Sequence, residues 1–122
     1  MALKLTSRLA GEVTIIDLCG RLELGPGATA LRETLQDVAA NGSGKILLNL
    51  SGLSFIDTSG LGELASGHAK AQHDGTALKM TGLPKRAEQL FQMTGLSNIF
   101  DIYFDIYFDI YDDELEAIHS WN

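Results

Sequence analysis

Asp57-Thr58-Ser59 puts three oxygen-bearing side chains in a row, followed by Gly60-Leu61-Gly62. Leu61, Leu64, Ala65, His68 and Ala69 then recur at helical spacing, which puts the group at a helix N-terminus. Unpaired backbone N–H groups and the helix dipole favour a capping oxygen or an anion there. Two roles follow. Asp57 or Thr58 caps the helix, and a hydroxyl beside the cap, Thr58 or Ser59, is open to modification. The roles are compatible, because one residue can cap while its neighbour is modified.

Other chemistries fit these residues poorly. Ile56-Asp57-Thr58 has the order of an aspartic-protease triplet, but Ser59 separates it from Gly60 and the helix that follows is wrong for an all-β protease. A response-regulator receiver needs an acidic pair after its first strand and a late lysine; Asp17 sits within a strand and no such lysine follows the later ones. His68 and His73 are five residues apart, about 140° around a helix, so they do not share a face as zinc ligands would. His68, on an apolar stripe, reads as a packed core side chain. Gly60-Leu61-Gly62 is not GxGxxG and has no phosphate-loop lysine. The expectation is no metal, no cofactor and no enzymatic activity.

The elements that must position Asp57-Thr58-Ser59 can be read from the chain around them. Leu3, Leu5 and Leu9 suggest a first strand, and Gly11 turns it into the β-branched run Val13–Leu18, forming a hairpin. Gly25-Pro26-Gly27 predicts a loop, then Ala28, Leu31, Leu35 and Val38 mark a helix that ends at Asn41-Gly42. Lys45–Leu50 is a short, almost continuously apolar strand, as expected where both faces are covered. Loops are predicted over Gly20–Gly27 and Ser51–Ser59. The helix carrying Leu61 ends near His73-Asp74-Gly75, and Thr76–Thr81 is a strand. A third helix opens at Leu83-Pro84 and closes at Gly95, a long strand runs from Phe100, and Asp112 or Asp113 caps a last helix. The order ββαβαβαβα predicts an α/β fold with a mixed, mainly parallel sheet behind an opening β-hairpin, its helices formed in right-handed crossovers. Functional loops of such sheets lie at the carboxyl ends of the strands.

At 122 residues, 45% hydrophobic and 20% charged, the chain is expected to form one domain over residues 1–122. Its net charge of −7 is unevenly placed. Seven of the sixteen acidic residues and none of the nine basic ones lie from Phe100 onward. Clustered basic residues carry phosphate affinity, so nucleic acid is not the expected partner. Cys19 is the only cysteine, which excludes an intramolecular disulfide and a CxxC site. The start MALKLTSRLA has no apolar signal core, and no run approaches the roughly 18 apolar residues of a membrane span. A cytoplasmic protein without membrane insertion is expected.

The stretch NLSGLSFIDTSGLGEL resembles the signature of anti-sigma factor antagonists, in the STAS-domain family. Gly20-Arg21-Leu22-Glu23, Leu90-Phe91-Gln92-Met93-Thr94-Gly95-Leu96 and Ile99-Phe100-Asp101-Ile102-Tyr103 extend the similarity over essentially the whole chain. The resemblance implies that Thr58, or else Ser59, is phosphorylated by a serine/threonine kinase that is itself the anti-sigma factor, and that a phosphatase reverses this. It implies that the unphosphorylated protein binds the anti-sigma factor and frees the sigma factor. Asp57, Ser59, Gly60, Leu61, Arg21, Glu23 and Leu53 are the implied partner-binding residues. Phe55 and Leu64 are expected in the core. An alternative within the same family is a STAS subunit of a lipid-transport ABC complex; Ser59 and the Gly-Leu-Gly continuation favour the antagonist.

Residues 100–111 read Phe-Asp-Ile-Tyr three times. As one strand they would span about 40 Å, roughly twice the usual length. An overhanging, apolar strand edge is a template for pairing, so a homodimer by strand pairing or domain swapping is expected through 100–111.

Overall fold

The computed structural model describes residues 2–42, 44–82, 84–85, 89, 110–111 and 113–121. Among these residues, five strands form one sheet in the order β1-β2-β3-β4-β5. β1 (Lys4–Ala10) and β2 (Val13–Leu22) are an antiparallel hairpin, with Ala10 opposite Val13 across the Gly11-Glu12 turn. β3 (Lys45–Ile56), β4 (Ala77–Thr81) and β5 (Ile110–Tyr111) add in parallel. α1 (Pro26–Ala40) joins β2 to β3, α2 (Thr58–His73) joins β3 to β4, and α3 (Glu114–His119) follows β5. This is the expected α/β architecture. The third predicted helix and the long last strand lie outside the described residues except at a few positions.

The strands alternate side chains between two cores. Ile16, Leu18, Ile46, Leu48, Leu78 and Met80 point to the face covered by α1 and α2, which contribute Leu31, Leu61 and Leu64. Val13, Ile15 and Leu47 point the other way and pack against Ala117 of α3, with Ile118 and Trp121 beside it. Arg8 fixes α3 to the hairpin: its guanidinium makes hydrogen bonds to both oxygens of Asp17, at 2.7 and 3.2 Å, and to Glu114. Asp17 also accepts from Asn49 Nδ2 at 2.9 Å. The Arg8 hydrogen bond holds the Asp17 carboxyl below its ordinary range.

Three boundaries differ from the sequence reading. Pro26 is not in a loop; it opens α1, where its missing N–H costs nothing and its fixed φ is already helical. β2 continues through Gly20 to Leu22. β3 does not stop at Leu50 but runs to Ile56, because the parallel pairing survives two bulges. Asp17 pairs Asn49 and Cys19 pairs Gly52; Gly20 pairs Leu53 and Arg21 pairs Phe55, so each bulge adds one residue to β3. The inward positions therefore run Ile46, Leu48, Leu50, then Leu53 and Ile56, and the period of two that marks a strand is broken. Gly52 permits the approach: a Cβ there would lie 2.7 Å from the Leu18 carbonyl oxygen.

Candidate functional site

With β2 and β3 extended, the two predicted loops shrink. Only Glu23–Gly25 separate β2 from α1, and Asp57 alone separates β3 from α2. Asp57 is extended (φ −108°, ψ −178°) and acts as the N-cap. Gly60 N–H donates to Asp57 Oδ1 at 2.8 Å, and Leu24 N–H, from the neighbouring loop, donates to Oδ2 at 3.1 Å. The Asp57 N–H in turn donates to the Leu22 carbonyl at 3.2 Å. One residue thus fastens the end of β2 to the start of α2.

Gly60 makes this junction possible. A Cβ at residue 60 would lie 2.4 Å from the Leu22 carbonyl oxygen and 2.9 Å from Leu22 Cγ, inside contact distance for any side chain. The helix N-terminus can therefore press directly on the β2 backbone.

Above the junction, Thr58 is the first helical residue and is exposed, while Ser59 is half-buried. The first turn of α2 holds no acidic side chain. Glu63, further along, forms a bidentate pair with Arg32 of α1, both contacts at 2.9 Å. Leu24, at the tip of the facing loop, is 77% exposed beside this surface.

The other expected partner residues divide by burial. Gly60 and Leu61 are buried, Leu61 at 2% exposure, and Leu53 is in the same core. The Gly60 backbone and the Leu53 and Leu61 side chains therefore shape the junction from below and offer no free surface. Leu64 is buried as expected, but Phe55 is only half-buried: the Arg21 guanidinium lies 4.0 Å from its ring centroid. Arg21 also pairs with Glu23 at 3.2 Å, and Ser54 Oγ donates to the Gly20 carbonyl at 3.1 Å. Residues from both predicted loops are thus brought together at the carboxyl ends of β2 and β3. Sequence reading missed Leu24, whose role depends on a contact 33 residues away. It also missed the Arg32–Glu63 pair, which joins two helices.

His68 is buried at 3% exposure on the inner side of α2. Among the described residues, no three His, Cys, Asp or Glu side chains converge as a metal site would require, and no helix is long and apolar enough to cross a membrane.

The sheet and its aspartate-capped helix can now be set beside known proteins. The family described as "Mlab, STAS domain" matches residues 5–102. The anti-sigma-B factor antagonist of Bacillus subtilis (strain 168) is 31% identical over 87 residues, covering 71% of this chain and 78% of that protein. The chain belongs to the STAS-domain family. Among solved structures, an anti-sigma factor antagonist from Mycobacterium paratuberculosis aligns with TM-score 0.73 at 19% identity, covering 98% of this chain and 93% of that one. The Bacillus cell fate determinant SpoIIAA, in its phosphorylated form, aligns with TM-score 0.65 at 21% identity, covering 99% of this chain and 100% of that one. These two likenesses concern the fold.

Proposed function

We propose that the protein is an anti-sigma factor antagonist, a binding switch and not an enzyme, turned off by phosphorylation of Thr58, with Ser59 as the second acceptor. The observation that carries this reading is the exposed Thr58 hydroxyl at the first position of α2, beside a cap whose two oxygens are already engaged. The 31% identity to an anti-sigma-B factor antagonist supplies the class of partner. The kinase transfers the γ-phosphoryl group of ATP to Thr58 Oγ1, the hydroxyl proton leaves to the kinase, and ADP departs. A phosphatase restores the hydroxyl.

A phosphate adds a charge of about −1.5 to −2. At the N-terminus of α2 it meets the positive end of the dipole and a first turn free of carboxylates, so the fold tolerates it. A partner surface that had met a neutral hydroxyl then faces bulk and negative charge, and the complex is lost. Asp57, Ser59, Arg21, Glu23 and Leu24 present this face, with Gly60, Leu61 and Leu53 supporting it from below. The chain acts as one cytoplasmic domain over residues 1–122. The sequence repeat at 100–111 pairs two copies into a homodimer, which sedimentation equilibrium tests; a monomer at high concentration overturns that part.

The switch itself is tested by incubation with anti-sigma factor kinases and ATP, then intact mass and site mapping on wild type and Thr58→Ala. One phosphate, absent from the mutant, is the expected result. A phosphate retained in the mutant assigns Ser59. No transfer by any kinase removes the reading and favours the lipid-transport subunit.

A further inference from the structure

Ile110 and Tyr111 form β5, with Ile110 opposite Met80 and Tyr111 opposite Thr81 of β4. They end the third Phe-Asp-Ile-Tyr unit; Ile102-Tyr103 and Ile106-Tyr107 end the other two. Whichever Ile-Tyr pair stands beside β4, Met80 and Thr81 meet the same residue types, and the two residues before the pair are again Phe-Asp. A slip by an odd number of residues turns every side chain to the opposite face of the sheet, whereas a slip by four or eight turns none.

The helix that follows is docked by contacts outside the repeat: Ala117 packs with Val13, Ile15 and Leu47, Arg8 bonds Glu114, and Lys79 Nζ donates to Ser120 Oγ. Between Thr81 and the paired Ile-Tyr lie 28 residues in the described register and 24 or 20 in the other two, and a parallel crossover needs about a dozen. Between the pair and Asp113, the α3 cap, lie one, five or nine residues. Loop-closure cost grows slowly with length, so neither connection selects strongly among the three. We propose that β5 exchanges among three registers, with Ile110-Tyr111, Ile106-Tyr107 and Ile102-Tyr103 in turn opposite Met80-Thr81. The chain between β5 and α3 thereby lengthens in steps of four residues while both elements stay docked. The exchange is independent of phosphorylation at Thr58.

Disulfide trapping reads the registers directly. On a Cys19→Ser background, which removes the one cysteine of the chain, Thr81→Cys is combined with Tyr111→Cys, Tyr107→Cys or Tyr103→Cys in the full chain. Disulfide formation within one chain under diamide is followed by intact mass. All three pairs should close at least about tenfold faster than a Thr81→Cys/Phe104→Cys control, since Phe104 stands opposite Thr81 in none of the registers. Closure of any of the three no faster than the control overturns the exchange. A second measurement needs no cysteine. Met80 is fully buried, so Ile110→Asp puts a carboxylate beside it in the described register. The urea midpoint of this variant should stay within about 0.3 M of wild type, because another unit takes the place, whereas Ile102→Asp/Ile106→Asp/Ile110→Asp should lower it by about 1 M or more. Equal midpoints for the single and triple variants likewise overturn it.

Discussion

Asp57 and Asp113 cap α2 and α3 with the same hydrogen bond, each accepting the N–H three residues on at 2.8 Å. Their settings differ. Asp113 is exposed and its second oxygen has no role in another element among the described residues, whereas Asp57 is half-buried and also holds Leu24 from a separate loop. Glu114 and Glu116 fill the first turn of α3 with negative charge; the first turn of α2 has none. A capping motif therefore becomes a candidate switch through two things the cap alone does not supply: a second element tied to the same carboxylate, and a first turn with no acidic side chain beyond the cap.

The largest effect expected from disturbing this difference comes from Gly60. Gly60→Ala places a methyl group against the Leu22 carbonyl and should lower stability by about 3 kcal/mol in urea denaturation, even though alanine is the better helix former. A loss below about 1 kcal/mol would mean that β2 and α2 do not meet as closely as described.

Next is the pair of caps. Asp57→Ala removes one cap and leaves Leu24 N–H without its acceptor, so about 2 kcal/mol should be lost. Asp113→Ala removes a cap only and should cost about 1 kcal/mol or less. Equal losses, measured by thermal unfolding, would erase the distinction between the two helices.

How far this contrast was legible beforehand depends on its range in sequence. Asp57 before an apolar helical stripe, the turn at Gly11, the helix stop at Asn41-Gly42 and a last-helix cap at Asp112 or Asp113 are local patterns, and all are present in the fold, the last at Asp113. The end of β3 was hidden because two bulges change the inward spacing from two to three, and Ser51-Gly52 then looks like a turn. Pro26 looked like a breaker because the same residue that ends a helix also begins one. The resemblance implies Leu61 as a partner contact, yet its side chain points into the core, since the helix stripe that identifies the helix is also its buried face. The Leu24–Asp57 bond joins residues that no local window contains.

A smaller effect concerns α3 and acid. The Arg8 hydrogen bond keeps the folded-state pKa of Asp17 below its unfolded value. The stabilisation is present above that value and is lost as pH falls through the folded pKa. Because the pair is partly exposed, the loss should be below about 1 kcal/mol. Asp17→Asn should flatten the acid limb of a stability–pH curve, and an unchanged limb would remove Asp17 from the account of α3 docking.

The smallest effect is on the fold of the modified protein. Phosphate at Thr58 should raise or lower stability by about 1 kcal/mol at most, seen as a small shift in Tm. Unfolding on phosphorylation would contradict the idea that α2 has room for an anion at its start.

The most direct measurement is the affinity of an anti-sigma factor for the unmodified and the Thr58-phosphorylated protein, by calorimetry at one ionic strength. The expected result is a loss of about a hundredfold or more on phosphorylation, with the fold retained. Equal affinity for the two forms would contradict the switch and return Thr58 to the role of a plain first residue of a helix.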